Sequence, residues 1–206
     1  KSGGAISSAN KVTITKSEFI NNKATDSNSF GGAVYVENGI NVSESSFDNN
    51  TAGTGGAIFS NNNTITVIVG GSSFNGNNAT VSGGAIYSNG KVETTNVDFT
   101  SNNATSSGGA IFSNNTVITT GGNFNNNSAT LSGGAIYSNN EVTTISGNFN
   151  NNTASISGGA IYTNKNITVN NTTFNENLVT STTSYTAGGA IYSTGTAIID
   201  NSTFTN

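Results

Sequence analysis

The chain is built around the triplet Gly-Gly-Ala, which occurs eight times and is followed each time by a phenylalanine. The first glycines of the triplets are Gly3, Gly31, Gly55, Gly83, Gly108, Gly133, Gly158 and Gly188. The glycine-to-phenylalanine gap is 16 residues in seven copies and 19 in the third, whereas the gap to the next triplet varies between 8 and 14 residues. One fixed span and one adjustable span are typical of a solenoid whose coils share a rigid wall and one variable loop.

The residues inside each copy alternate with the period of a β-strand. Counting the first glycine as position zero, position three is always β-branched, and positions nine and eleven carry mostly Val, Ile or Thr. These runs are too short for helices and predict about three strands per copy. Stacked copies then form an all-β, single-stranded parallel β-helix of about eight coils of ~25 residues. We expect residues 1–206 to be one continuous β-helix segment, excised from a longer solenoid, because neither end shows a polar cap.

Stacking places equivalent side chains over one another, and two columns are predicted to hold the coils together. The phenylalanine at position sixteen forms one column, and an asparagine at position nineteen forms the other. Each amide is expected to donate to one neighbouring coil and accept from the other, and asparagine also tolerates the left-handed backbone of a tight corner. The first column is Phe19, Phe47, Phe74, Phe99, Phe124, Phe149, Phe174 and Phe204. The second is Asn22, Asn50, Asn77, Asn102, Asn127, Asn152 and Asn177.

Turns and loops are predicted from the remaining pattern. The glycine pairs indicate either corners that need a positive φ or close approaches between coils. The extra residues of the third copy predict a bulge or short loop near Ile65 to Gly71. The longer linkers, Lys23 to Phe30 and Asn177 to Ala187, are expected to protrude as surface loops, where binding is often located.

The composition excludes several classes of partner. The net charge is −4 and the six basic residues are all lysines, so that no basic patch exists to bind nucleic acid. The sequence has neither a cationic amphipathic helix nor a long apolar run, so direct insertion of this segment into a membrane is not predicted. Cysteine is absent, which is compatible with an extracellular or cell-surface protein.

Catalysis is not predicted, because the acidic groups are scattered in the expected register. Glu18 and Asp98 share a position but lie three coils apart, and the chain has no histidine, cysteine or arginine to complete an acid–base site. No aspartate follows a glycine doublet, which excludes the repeated calcium site of a β-roll. We therefore expect no catalytic, cofactor-binding or metal-binding residues.

An aromatic column at position four is the candidate ligand or assembly stripe. If position three points inward, the period of two turns this column outward, where it could stack on sugar rings or support lateral packing. The alternative is a second core stack in which the alanine at position two also points inward. The column is Tyr35, Phe59, Tyr87, Phe112, Tyr137, Tyr162 and Tyr192, with Ser7 in the first copy.

The paired motifs Gly-Gly-Ala-Ile/Val and Phe-x-x-Asn, as in Gly133–Ile136 and Phe149–Asn152, resemble the polymorphic outer-membrane protein family and related adhesin-like surface repeats. The resemblance implies a right-handed parallel β-helix, a cell-surface location and adhesion, as in the passenger of an autotransporter. The sequence therefore predicts a non-catalytic adhesin or stalk region that presents loops and side-chain stripes to cells, matrix or glycans. The alternative is a structural subunit of an extracellular filament or surface layer, with copies of the chain as partners, assembled by coil stacking or lateral packing.

Overall fold

The chain forms a parallel β-solenoid, as the repeat predicts. The computed structural model describes residues 2–26, 28–181 and 188–205, and those ranges contain strands and turns but no helix. Each repeat is one coil, numbered one to eight from Gly3 to Gly188. Three sheets of eight strands run along the molecule, and a fourth sheet is built from six two-residue strands.

The strands of each sheet are neighbours in space and one coil apart in sequence. Sheet A contains Ile6–Ser8, Val34–Val36, Ile58–Ser60, Ile86–Ser88, Ile111–Ser113, Ile136–Ser138, Ile161–Thr163 and Ile191–Ser193. Sheet B contains Val12–Thr15, Ile40–Ser43, Val67–Gly70, Val92–Thr95, Val117–Thr120, Val142–Ile145, Ile167–Asn170 and Ala197–Asp200. Sheet C contains Glu18–Ile20, Ser46–Asp48, Ser73–Asn75, Asp98–Thr100, Asn123–Asn125, Asn148–Asn150, Thr173–Asn175 and Thr203–Thr205. Sheet D contains Thr51–Ala52, Asn78–Ala79, Asn103–Ala104, Ser128–Ala129, Thr153–Ala154 and Leu178–Val179.

The register joins equivalent positions of successive coils in parallel. Ile86 pairs with Ile111, and Phe99 pairs with Phe124. Like side chains therefore stack along the axis, and the phenylalanine rings form one continuous pile from Phe19 to Phe204 with centroids 4.6–5.0 Å apart.

The core lies inside the tube formed by the sheets. Position three of sheet A, positions nine and eleven of sheet B and the phenylalanine of sheet C point into it and are fully buried in the central coils. The alanine at position two joins the same core. The inward columns hold similar side chains in the central coils, so successive coils repeat the same packing of the core.

The two glycines of each doublet have different roles. One provides the positive φ of a corner and the other allows a close approach between coils, which are the two explanations that the sequence offers. The first glycine is left-handed, as at Gly133 with a φ of 65°. The second lies against the next coil, because a Cβ on Gly134 would stand 2.0 Å from the carbonyl oxygen of Gly159. Only glycine allows the coils to approach this closely at the corner.

Three details of the turns differ from the sequence-based expectations. The extra residues of coil three lie at residues 61–66, before the regular strand Val67–Gly70, and not around Ile65 to Gly71. The left-handed corner falls on the residue before each stacked asparagine, as at Asn151, since the stacked asparagines have ordinary backbone angles. The Lys23 to Phe30 linker is partly packed, because Ser29 is buried and Phe30 contacts Phe59.

The linker from Asn177 to Ala187 falls partly outside the described residues. Its first part continues the coil, with Leu178–Val179 in sheet D. The short strands of that sheet were not among the three predicted per coil, because two residues are too few to show a period.

Candidate functional site

A buried ladder of asparagine amides runs along the inside of one corner, as the spacing predicts. From Asn22 to Asn152, each Nδ2 donates to the Oδ1 of the asparagine in the next coil at 2.9–3.0 Å. Each amide in coils two to seven also donates to the phenylalanine carbonyl of the preceding coil, as Asn102 does to Phe74. The same Oδ1 also accepts the backbone N–H of the ladder asparagine in the preceding coil, as Asn102 Oδ1 does from Asn77. The central asparagines of the ladder are therefore bonded to the coils on both sides.

The aromatic column at position four lies on the outer side of sheet A. Its flanking positions three and five are fully buried in the central coils, whereas the rings are half-buried, and Phe59 alone is nearly covered. None of the seven rings belongs to the central core. From Phe59 to Tyr162 the ring centroids lie 4.7–5.0 Å apart with planes parallel to within 6°.

This stacking determines which part of each ring is displayed. Neighbouring rings cover each other's faces, so that the stripe presents ring edges and tyrosine hydroxyls to solvent. A sugar ring needs an open aromatic face to stack upon, and the inner rings of the column do not provide one. The stripe therefore offers hydrogen-bonding edges in a regular row.

A second, outer amide row accompanies the aromatic stripe at position six, on the same side of sheet A. Its members are Glu37, Asn61, Asn89, Asn114, Asn139 and Asn164. Each Nδ2 donates to the side-chain oxygen of the preceding coil at 2.7–3.1 Å, and the row ends on the carboxylate of Glu37. The donors of this row point towards the first coil, opposite to those of the buried ladder.

This row is not among the columns that the sequence predicts. Asparagine is so common in the chain that its recurrence at position six carries little signal, and the three extra residues of coil three lie just beyond it. Aligning the coils on their doublets would reveal the row, since six of the eight coils carry Asn or Glu at position six.

The two rows are hydrogen-bonded to each other. Asn114 Nδ2 donates to the Tyr87 hydroxyl at 3.0 Å, and Asn164 Nδ2 donates to the Tyr137 hydroxyl at 3.1 Å. Tyr35 donates to Glu37 at the end of the row.

The pKa values of Tyr35 and Glu37 are shifted in the directions that favour the hydrogen bond between them. Burial, the hydrogen bond to Glu37 and the charge of that carboxylate raise the pKa of Tyr35 to about 12. The Asn61 amide and the Tyr35 hydroxyl lower the pKa of Glu37. Burial raises the pKa of Tyr87 and, together with the neighbouring tyrosines, that of Tyr162.

Several carboxylates meet at one surface in the part of the chain that the structure describes. Glu18, Glu44 and Asp98 line one open groove, but Glu44 lies 3.6 Å from the Lys16 ammonium and Asp98 accepts the Asn123 amide. Within residues 2–26, 28–181 and 188–205, no three His, Cys, Asp or Glu side chains are grouped so as to hold a metal ion.

The same described ranges hold no helix that is long and apolar enough to cross a membrane. Neither the curated proteins nor the solved structures yield a match to the chain.

A family model does match, and it follows the coils. The Chlamydia polymorphic membrane protein (Chlamydia_PMP) repeat matches residues 16–37, 44–61, 71–89, 96–114, 123–139 and 143–164. These six segments cover more than half of the chain, and each contains residues of the stacks described above. The chain therefore belongs to the Chlamydia polymorphic membrane protein repeat family.

Proposed function

We propose that the chain is a non-catalytic adhesin or stalk region of a cell-surface protein, a rod whose outer rows bind cells, matrix or glycans. The observation that carries the proposal is the pair of rows on the outer side of sheet A, where aromatic edges and amides recur in every coil from two to seven. A regular row of hydrogen-bonding groups suits a surface that engages a partner at many weak contacts.

Two further features support the surface location and the lack of catalysis. The family is one of surface-exposed repeat proteins, which supports a location at the cell surface. Three of the dispersed carboxylates, Glu37, Asp98 and Glu141, accept amide hydrogen bonds from the next coil and so take part in the hydrogen bonding of the surface.

An adhesion assay tests the proposal. Beads coated with the chain are expected to bind cultured cells, and Tyr137→Phe with Tyr162→Phe should reduce binding at least tenfold, because the hydroxyls are the displayed groups while the phenyl stack is kept. Thr143→Ala with Thr168→Ala, on the outer side of sheet B, is the matched control and should leave binding unchanged. Equal binding by the tyrosine variant at equal melting temperature would contradict the role of the stripe.

Tyr137→Ser with Tyr162→Ser is the stronger variant. Removing two stacked rings is expected to lower stability by about 1 kcal/mol per ring and to remove binding. A chain that no longer folds would show instead that the column is a structural stack.

The second candidate is a structural subunit that packs side by side with its copies. It is favoured by an aliphatic row at the corner before the doublets, where Val81, Leu131 and Ile156 are 45%, 42% and 41% exposed. Light scattering at rising concentration tests it, with Leu131→Ser and Ile156→Ser as the variant. Particles that grow in the native chain and not in the variant would favour the filament, and a constant monomer would oppose it.

A further inference from the structure

Coil three departs from the other seven at one corner, between sheets A and B. Its extra residues form a loop at 61–66 that is held from within, because Asn62 Oδ1 accepts the backbone N–H groups of Thr64 at 2.8 Å and Ile65 at 3.0 Å. The turn beneath it is changed as well. Ser88 Oγ accepts the Gly90 N–H one coil later, whereas Ser60 Oγ is buried without a partner among the described residues.

The coils on both sides are shaped to seat this loop. A Cβ on Gly39 would lie 2.4 Å from Ile65 Cγ2, and a Cβ on Gly90 would lie 2.3 Å from the Ile65 carbonyl oxygen. Neither glycine belongs to a doublet. Two glycines placed one coil before and one coil after the loop make it a defined part of the structure.

The loop borders an open groove of about 760 Å³ at the end of the outer amide row. The groove is lined by Glu37, Asn38, Asn61, Asn62, Asn63, Asn89, Asn114 and Asn115. Its volume is within the range of about 300–1,000 Å³ that is usual for ligand sites. Among the residues that line it, seven are asparagines and one carries a negative charge, so the surface is rich in paired donors and acceptors and lacks cations.

Several of these hydrogen-bonding groups remain open to a ligand. An asparagine side chain has two N–H donors and two acceptor lone pairs. The outer row uses one donor and one acceptor of Asn61, and among the described residues Asn115 Oδ1 accepts from the N–H of Thr116 alone. The Asn63 side chain is exposed at the tip of the loop.

We propose that the groove beside the coil-three loop binds a neutral oligosaccharide. Sugar hydroxyls both donate and accept, as asparagine amides do, while an anionic ligand would face Glu37 without a compensating cation. The inference rests on the proposed surface-binding function and names the ligand class and the place. It locates binding around the loop that interrupts the repeat, in a groove that spans coils two to five and is lined by asparagines and Glu37.

Side-chain amide signals in ¹⁵N–¹H spectra test the site. Lactose, mannotriose and N-acetylated chitotriose are titrated into the full chain, and at least one is expected to shift the amide signals of Asn63 and Asn115 in a saturable way. The sialylated form of lactose should bind at least threefold more weakly than lactose itself, because its carboxylate meets Glu37. Absence of a saturable shift with all three neutral sugars, or tighter binding of the sialylated one, would overturn the proposal.

Variants separate the groove from general sugar contact. Asn63→Ala with Asn115→Ala should weaken binding at least tenfold, whereas Asn140→Ala, at the position of Asn115 one coil later, should leave it within twofold. Excision of residues 62–64 restores the 16-residue span of the other coils. The excised chain should keep its fold but show no saturable shift of its amide signals with the sugar. An unchanged sugar affinity in the double alanine variant or in the excised chain would contradict the site.

The outcomes distinguish the site from the wider function. Cell binding by coated beads without any sugar binding would overturn the groove and leave the adhesin proposal standing. Sugar binding that disappears on loop excision, in a chain that binds no cells, would support the groove and oppose the adhesin.

Discussion

At the scale of single residues, the buried asparagine is the side chain that holds coils together most directly. Asn102 Nδ2 donates to Asn127 Oδ1 and to the Phe74 carbonyl, and its Oδ1 accepts from Asn77. All these groups are buried, so the loss of one amide removes a hydrogen bond from each of its partners in two other coils.

Replacement of Asn102 by alanine is expected to lower the free energy of unfolding by about 3 kcal/mol, because several buried donors and acceptors lose their partner. The matched control is Asn103→Ala, which removes one exposed hydrogen bond to Asn78 and should change stability by less than about 0.5 kcal/mol. Urea unfolding followed by circular dichroism measures both. Similar losses in the two variants would contradict the ladder's contribution.

Glycine substitutions give a second residue-scale prediction. Gly134→Ala should cost about 3 kcal/mol or more, because the new Cβ would meet a backbone oxygen at 2.0 Å, which only a backbone shift can relieve. Gly70→Ala is the control, since its Cβ would have 3.9 Å to its nearest neighbour and its φ is not in the left-handed region. That variant should be as stable as the native chain or more stable, by up to about 1 kcal/mol. Thermal melts compare the two.

At the scale of elements, the sequence predicts the long sheets well because three columns of large apolar residues recur at fixed positions. The phenylalanine of sheet C and the aliphatic residues of sheets A and B are visible from spacing alone. The outer amide row and the seat of the coil-three loop could not be predicted in this way. They depend on which coil lies above which corner, as Gly39 and Gly90 show, and sequence spacing does not reveal those contacts.

Alkaline pH probes the end of the outer rows. The pKa of Tyr35 is raised from 10.0 to about 12, so its contribution to stability is complete below pH 10 and is lost as the pH rises towards 12. Tyr35→Phe should therefore show a shallower decline in stability above pH 10 than the native chain. Urea midpoints measured between pH 8 and 12 test this, and identical slopes would contradict it. A decline should persist in the variant, since Tyr87 and Tyr162 also have raised pKa values.

Acidic pH acts on the partner of Tyr35. The pKa of Glu37 is lowered from 4.5, so the stabilisation it gives is present above that value and is lost as the pH falls through its lower folded pKa. Glu37→Gln keeps an acceptor for Asn61 and should remove the part of the stability that depends on acidic pH.

At the scale of the whole molecule, stability is carried by contacts between neighbouring coils. Coils five and six have equal spans of 25 residues and the same residue types at their buried positions, so either can be removed without changing the kind of contacts made by the rest. Removal of residues 108–132 joins Ser107 to Gly133 and should give a folded rod about 4.8 Å shorter. Small-angle X-ray scattering measures the length, and a urea melt measures the fold.

The control removes half a coil. Without residues 118–130 the phenylalanine column is interrupted and the sheets fall out of register, so that this chain is expected not to fold. A folded half-coil variant, or an unfolded whole-coil variant, would contradict the additive picture of the rod.

The seat of the coil-three loop has a consequence for how the chain reaches its final arrangement. Coils four to six, which share a span of 25 residues, invite misassembly by a whole-coil slip, in which every ring and amide still meets a partner of its own kind. The loop resists such a slip, because between other neighbours Ile65 would meet Lys91 or Thr116 in place of Gly39. The one irregular corner thus fixes the register of coils that could otherwise exchange places.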